Sequence, residues 1–232
     1  NFQHVAVLTN PNQYQEIIQE LQQNQGALSL STRLYLAQEA FNYITYYDSV
    51  IEKYFSQNLV KTKEEFPLFL NFSLRKENPL RYGENPHQKA FVYRDSYYKG
   101  TSLFNYEILS GKELSYNNWV DLEAALEIIS EFEKPFAVII KHTNPCGAAC
   151  SDNLAQAFEN ALAGDPLSAY GCIIGLNKKV DLETAQKINE TLFVECILAP
   201  EYDKNALELL KSKKNRRILA YGKLVSFNQE KQ

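Results

Sequence analysis

The spacing of hydrophobic residues in the first quarter of the chain predicts one short strand followed by two helices. Residues 4–9 have the character of a strand, and Asn10-Pro11 predicts the start of a helix of about 12 residues that ends near Gly26. A longer helix is predicted to begin after Ser31-Thr32. Its apolar positions recur every three or four residues, interrupted only by Asp48; they are Leu34, Ala37, Phe41, Ile44 and Ile51. The pattern favours an architectural role for this part.

The helical period is lost between residues 57 and 79, where charged residues become frequent. We therefore predict two domains, residues 1–65 and residues 66–232. The second begins with a loop at 80–88 that is rich in turn-forming residues, and this loop is either an ordinary connector or a binding site.

From Asn117-Asn118 onward, helical and strand patterns take turns. Helices are predicted through Leu122 to Ile129, after a cap at Ser151, from Asp181, and through Ala206 to Leu210; strands are predicted at 136–140, 170–176, 192–198 and 217–221. This alternation predicts an α/β layer in which the strands pair largely in parallel.

The stretch Pro135–Gly147 combines a wholly apolar run with polar residues that can do chemistry. The run at 136–140 predicts a buried central strand, and Lys141-His142 follows at its carboxyl end, just before a Pro/Gly turn. Ligands of open α/β sheets collect at such strand ends. A lone histidine there is often only structural, but His142 beside Lys141 suits acyl transfer: the imidazole accepts a proton and the ammonium stabilises an oxyanion.

Other candidate residues have both a functional and a structural interpretation. Arg81 could hold a phosphate and Tyr82 could stack on a base, or both could be loop residues. Gly171 could let a ligand approach the backbone, or could simply form a turn. The basic run at 211–217 is most simply a solvated end after a helix, with anion binding as the alternative.

Composition excludes several classes of protein. A net charge of −4 with interspersed signs gives no electrostatic support for nucleic-acid binding. Apolar runs of about five residues are far shorter than the roughly 20 that span a membrane, and no signal peptide is visible, so we expect a cytoplasmic protein. With 45% hydrophobic residues the chain can build a core.

The four cysteines are too few for a disulfide scaffold in a chain of 232 residues. Pro145-Cys146 resembles part of a zinc-deaminase motif, but the spacing to Cys150 is wrong and no histidine precedes a glutamate by two positions. We therefore expect no metal, and interpret these two cysteines as small buried thiols that pack a turn and a helix start.

Four segments together resemble the bifunctional purine-biosynthesis family that joins 5-aminoimidazole-4-carboxamide ribonucleotide (AICAR) formyltransferase to inosine monophosphate (IMP) cyclohydrolase. The segments lie at residues 80–88, 111–118, 140–147 and 165–171, and the resemblance covers nearly the whole chain. It implies formyl transfer from 10-formyltetrahydrofolate, as co-substrate, to the 5-amino group of AICAR, followed by ring closure to IMP in the cyclohydrolase domain.

The resemblance also implies a role for each candidate residue. His142 is the expected general base and Lys141 the expected transition-state stabiliser. The expected nucleotide contacts are Arg81, Tyr82, Gly171 and, less directly because some members carry Asp there, Glu195.

The implied fold is a cytidine-deaminase-like α/β layer without metal, forming the first half of the formyltransferase domain. It is preceded by the C-terminal strand and helices of a methylglyoxal-synthase-like domain, the cyclohydrolase remnant in residues 1–65. The absence of methionine and the start directly in strand-like sequence suggest a fragment. By the resemblance, it lacks most of the cyclohydrolase site and most of the folate site.

The resemblance further implies a homodimer for the longer protein. Two interpretations of the fragment stay open: it carries the transferase chemistry, or it is a catalytically silent module that only binds the nucleotide or serves in dimerisation.

Overall fold

The structure is a computed structural model that describes residues 1–60, 66–95, 98, 102–191 and 193–222. The chain divides into two compact units, Asn1–Arg75 with Tyr93–Tyr97, and Lys76–Val92 with Tyr98–Gln232. The predicted domain boundary after residue 65, and the predicted strand start at Leu192, fall on positions outside the described residues.

The first unit contains the two predicted helices. Asn10 caps a 3-10 turn at Pro11–Gln13, with its side chain accepting from the Asn12 amide, and α1 (Tyr14–Gln23) follows directly. The predicted helix start at Asn10-Pro11 is thus confirmed. The predicted strand at 4–9 is wrong: the segment has no strand conformation, because no described strand lies beside it to satisfy its backbone hydrogen bonds.

The long helix α2 (Leu30–Asn58) begins three residues earlier than predicted, because Ser29 caps it by accepting from the Thr32 amide at 3.1 Å. Its buried residues are Leu36 and Ala40. Most of the predicted apolar stripe, by contrast, is exposed to solvent, including Leu34, Phe41, Ile44 and Ile51.

The second unit is built on a six-stranded sheet. Its strands are β3 (Glu107–Ser110), β4 (Phe136–Lys141), β5 (Asn144–Cys150), β6 (Cys172–Leu176), β7 (Val194–Ala199) and β8 (Arg217–Ala220). Their order in the sheet is β3-β8-β7-β6-β4-β5. Its helices are α3 (Tyr116–Ser130), α4 (Leu154–Gly164), α5 (Leu182–Glu190) and α6 (Lys204–Lys211). Two further strands, β1 (Leu74–Pro79) and β2 (Phe91–Asp95), form a separate two-stranded sheet.

The sheet is mixed rather than largely parallel, so this prediction was wrong. β6, β7 and β8 are parallel, whereas β4 is antiparallel to both β6 and β5, and β3 is antiparallel to β8. The predicted Pro/Gly turn after His142 is itself a strand, β5. Proline is tolerated there because Pro145 lies at a register shift opposite Ile140, on a strand at the end of the sheet.

Helices cover both faces of the sheet. Phe136, Val138 and Ile140 pack with α3 on one face, and Ala137 and Ile139 pack with α4 to α6 on the other. All five residues are buried, which confirms the predicted buried strand. The predicted helix through Leu122 to Ile129 is confirmed as part of α3, and it buries Leu122, Ala125, Leu126 and Ile129.

The cap of α4 differs from the prediction: Asn153, not Ser151, accepts from the Gln156 amide, at 2.8 Å. Asp181 caps α5 as predicted. Among the described helices, none combines the length and apolarity that crossing a bilayer requires.

Candidate functional site

His142 lies at the tip of the hairpin that joins β4 to β5. Lys141 pairs with Asn144 across the hairpin, so His142 and Thr143 alone form the connection. Both have left-handed backbone angles, with φ of 53° and 64°, as the second and third residues of a type I′ turn require. His142 is exposed, and the tight turn holds it at a defined position where β4 ends.

Lys141 reaches from the end of β4 to the residue before Gly171. Its Nζ donates to the carbonyl oxygen of Tyr170 at 2.6 Å. Gly171 has a φ of 74°, and its amide donates to the carbonyl of Phe193 at 2.9 Å. The two motifs are neighbours because β4 runs antiparallel to β6, so that the carboxyl end of β4 meets the amino end of β6.

Glu195 lies near the amino end of β7, at the same edge of the sheet. Its Oε1 accepts from Asn118 Nδ2 at 2.9 Å and from Arg217 Nη1 at 3.1 Å. The Arg217 side chain is only 6% exposed and that of Glu195 is 34% exposed. The carboxylate is therefore held in one orientation by two partners while part of it stays open to solvent.

Arg81 and Tyr82 lie in the loop before β2 and are joined to each other. The guanidinium carbon of Arg81 lies 4.7 Å from the centre of the Tyr82 ring, and its Nη2 donates to the phenol oxygen at 2.9 Å. The Arg81 amide donates to Leu114, and the Tyr116 amide donates to Tyr82. Through these backbone bonds the loop is tied to the amino end of α3.

The first two turns of α3 connect the candidate residues. Ser115 caps the helix in a capping box with Asn118, and Asn118 in turn donates to Glu195. One turn later, Asp121 Oδ1 accepts from the Thr143 amide at 2.7 Å. Loop 80–88, Glu195 and the His142 hairpin therefore all meet the same helix end.

Sequence reasoning missed three residues of this arrangement: Asn118, Asp121 and Arg217. Asn118 was placed at the start of a helix, but its hydrogen bond to Glu195, 77 residues further along the chain, was not predicted. The spacing of Asn118 and Asp121, three residues apart, could have indicated that both lie on one face. The sequence carries no comparable signal for the pairing of Arg217 with Glu195.

The basic run at 211–217 is only partly the solvated segment that was predicted. Lys211, Lys213 and Lys214 are exposed, but Arg216 and Arg217 are buried. Arg216 Nη1 donates to Asn189 at 3.1 Å and to the Leu210 carbonyl at 3.4 Å. Residues 212–216 line an open pocket of about 320 Å³ with Phe193 and Val194, and His142 is not among its lining residues. The Phe193 carbonyl of this pocket accepts from the Gly171 amide.

The prediction that Cys146 and Cys150 are buried thiols that pack a turn and a helix start is wrong. Both lie on β5, with Cys146 half-buried and Cys150 exposed. Burial raises the pKa of Cys146, whose Sγ contacts the Ile139 carbonyl at 3.5 Å. Within the described part of the chain, no cluster of three His, Cys, Asp or Glu side chains could hold a metal ion.

Comparison with known proteins identifies relatives over the whole chain. The family model described as AICARFT/IMPCHase bienzyme matches residues 1–232. The chain is 44% identical over 224 residues to the bifunctional purine biosynthesis protein PurH of Xylella fastidiosa. The matched region covers 94% of the chain and 42% of the relative. It is 41% identical over 221 residues to PurH of Caldicellulosiruptor saccharolyticus, with the same coverage, and 43% identical over 233 residues to PurH of Sorangium cellulosum. The chain thus spans about two fifths of the length of these relatives.

Proposed function

Because the chain belongs to the AICARFT/IMPCHase bienzyme family, we propose that it carries the proton-transfer residues of an AICAR formyltransferase in purine biosynthesis. The reaction moves the formyl group of 10-formyltetrahydrofolate to the 5-amino group of AICAR. In the longer protein, the cyclohydrolase part then closes the ring to IMP. This activity is proposed for the complete gene product, to which the chain contributes these residues.

One observation carries the proposal: four candidate residues from three separate stretches of the sequence lie at one edge of the sheet. Lys141 and His142 end β4, Gly171 precedes β6, and Glu195 begins β7. Lys141 is joined to the Gly171 segment by a hydrogen bond. This convergence supports the proposal, because a substrate that contacts all four residues requires them at one place.

The chemistry that these residues can support is attack of an amine on a formyl carbonyl. The AICAR amine is a weak nucleophile, and removal of its proton by His142 as the carbon–nitrogen bond forms makes the attack easier. The oxygen of the formyl group gains negative charge at the same moment. Lys141 has three N–H donors and uses one on Tyr170, so its remaining donors can stabilise this charge.

The remaining candidates are proposed to hold the nucleotide. Arg81 supplies a planar cation suited to a phosphate, and Tyr82 supplies a ring suited to stacking. Gly171, with no side chain and a left-handed backbone, lets the ligand approach the main chain. Glu195, whose carboxylate is oriented by Asn118 and Arg217, can accept hydrogen bonds from the nucleotide.

The finer architecture is proposed from the family resemblance. Residues 66–232 are proposed to be the first half of a cytidine-deaminase-like formyltransferase domain that uses no metal, and residues 1–65 the end of a methylglyoxal-synthase-like cyclohydrolase domain with its linker. We propose that the longer protein is a cytoplasmic homodimer that uses the folate as co-substrate. The net charge of −4 favours partners other than nucleic acid.

Turnover and nucleotide binding in the complete gene product test the proposal. We expect His142→Ala to lower kcat by about 10²-fold or more while AICAR binding, measured by calorimetry, is largely kept. Arg81→Ala is expected to weaken AICAR binding instead. His4→Ala, a change at an exposed histidine of the other unit, is the control and should leave both unchanged.

Near-normal turnover of His142→Ala would contradict the base assignment. Binding of AICAR without formyl transfer by the wild-type protein would instead favour the alternative, a module that only binds the nucleotide or serves in dimerisation.

A further inference from the structure

We propose that Asp121 is a positioning residue that holds the His142 hairpin in its working conformation, an inference that rests on the proposed function of His142. The observation behind it is the 2.7 Å hydrogen bond from the Thr143 amide to Asp121 Oδ1. It joins the second turn of α3 to the tip of the β4–β5 hairpin.

The hairpin tip needs an external support because its residues do not favour its backbone conformation. Type I′ turns require positive φ at both central positions and strongly prefer Asn-Gly. Here the two positions are His142 and Thr143, with φ of 53° and 64°. A β-branched residue such as threonine is rarely found with positive φ, and such strain persists only where surrounding contacts enforce it.

The contacts around the tip identify Asp121 as that support. Thr143 Oγ1 and Asn144 Nδ2 both donate to the His142 carbonyl, but these bonds lie within the hairpin. Among the described residues, Asp121 provides the side chain from outside the hairpin that bonds to the turn. A carboxylate accepting from an amide also makes a stronger bond than a neutral acceptor.

Asp121 can therefore affect catalysis without touching the substrate. Asn118, one turn earlier on the same helix, holds Glu195. The two side chains together fix the distance between the proposed base and a proposed nucleotide contact. A shift of about 1 Å in a reacting group can cost about 10²-fold in rate, so loss of the Asp121 bond should act mainly on kcat.

The first test measures kcat and the KM for AICAR in the complete gene product. Asp121→Ala should lower kcat by about tenfold or more and change KM by less than threefold. Asp121→Asn keeps an oxygen acceptor and should retain kcat within about threefold. Glu127→Ala removes an exposed carboxylate from the same helix and should behave as the wild type. Equal kcat for Asp121→Ala and the wild type, or equal losses in both Asp121 variants, would overturn the proposal.

A second variant separates positioning from a merely structural role. Glycine at position 143 adopts positive φ without strain, so Thr143→Gly should let the turn hold itself. In that background Asp121→Ala should cost less than threefold in kcat, a coupling that a double-mutant cycle measures. An undiminished loss there would overturn the proposal.

Hydrogen exchange tests the contact independently of the reaction. In Asp121→Ala, backbone amides of the β4–β5 hairpin should exchange faster while those of β6 to β8 keep their protection. Unchanged exchange in the hairpin, or faster exchange throughout, would show that Asp121 does not hold this turn. If His142→Ala were fully active, the proposed function would fail, while the exchange measurement would still decide whether Asp121 holds the hairpin.

Discussion

Gly147 lies where β5 packs closely against α4. A Cβ atom at this position would overlap the carbonyl oxygen of Ala161. The backbone of α4 cannot move away without breaking the helix packing beneath the sheet. The glycine of the 140–147 motif is therefore required by close packing, in addition to any part that the motif plays in chemistry.

Gly147→Ala should accordingly destabilise the protein by about 2 kcal/mol or more, because overfilling a packed contact forces backbone shifts. Chemical denaturation measures the change in the free energy of unfolding. Gly164→Ala is the matched control, since its added Cβ would come no closer than 3.4 Å to its nearest neighbour. A stability of Gly147→Ala equal to that of the control would contradict the packing argument.

At the level of single residues, the sequence predicts some parts of the candidate site and not others. Lys141 and His142 could be placed at the end of a buried strand because the apolar run before them has a clear length and boundary. Asp121 could not be connected to them, because a carboxylate near the start of a helix is ordinary composition. Only the pairing of distant elements brings it to Thr143.

Among the elements, β5 is where the sequence pattern misled most. Asn-Pro and Gly usually end strands, but Asn144-Pro145 begins β5 and Gly147 lies within it. Proline is tolerated because β5 is an edge strand and Pro145 lies at a register shift. Missing β5 also hid the hairpin, and with it the antiparallel direction of β4. The helices and the strands β6 to β8 were predictable because strong apolar periods and Asp181 mark them.

Asn177 connects the end of β6 to the turn that leads into β4. Its Oδ1 accepts from the Phe136 amide at 2.8 Å, and its Nδ2 donates to the carbonyls of Phe132 and Lys134, each at 2.7 Å. The side chain is buried at 7% exposure. One side-chain amide thus satisfies the backbone N–H at the start of β4 and two carbonyls of the connection before it.

Asn177→Leu should lower the free energy of unfolding by about 2–3 kcal/mol, because it keeps the volume but leaves these backbone groups without partners. Thermal and urea unfolding measure the change. Asn205→Leu, at an exposed position on α6, serves as control and is expected within about 0.5 kcal/mol of the wild type. A small effect of Asn177→Leu would mean that water replaces the lost bonds.

For the whole molecule, the four cysteines provide internal probes of folding in the second unit. Cys150 is exposed, Cys146 is half-buried, and Cys172 and Cys196 are buried. Burial raises the pKa of Cys172 to about 12 and that of Cys196 to about 12. Since only the thiolate reacts with alkylating reagents, these two thiols are inert in the folded state.

Alkylation followed by mass spectrometry should therefore modify Cys150 first, Cys146 more slowly, and Cys172 and Cys196 only after unfolding. The same reaction in denaturant, where all four should react, is the control. Modification of Cys172 or Cys196 at the rate of Cys150 under native conditions would contradict the arrangement of the sheet.

The exposed stripe of α2 shows a limit of sequence reasoning at this scale. Its period correctly predicts a helix, yet Phe41 is 72% exposed while Leu36 and Ala40 are buried. Periodicity identifies an apolar face but carries no information about which surface, if any, covers it.

The reversed direction of β4 also gives the candidate site an electric polarity. α3 runs into β4 and so presents its amino end at this edge, whereas α5 and α6 run into the parallel strands β7 and β8 and present their carboxyl ends. Aligned peptide dipoles place about half a positive charge at an amino end and about half a negative charge at a carboxyl end. At this edge the amino end of α3 and the Arg81 loop therefore both favour an anionic ligand, whereas at the end of α6 the exposed Lys211, Lys213 and Lys214 offset the negative end of the helix dipole.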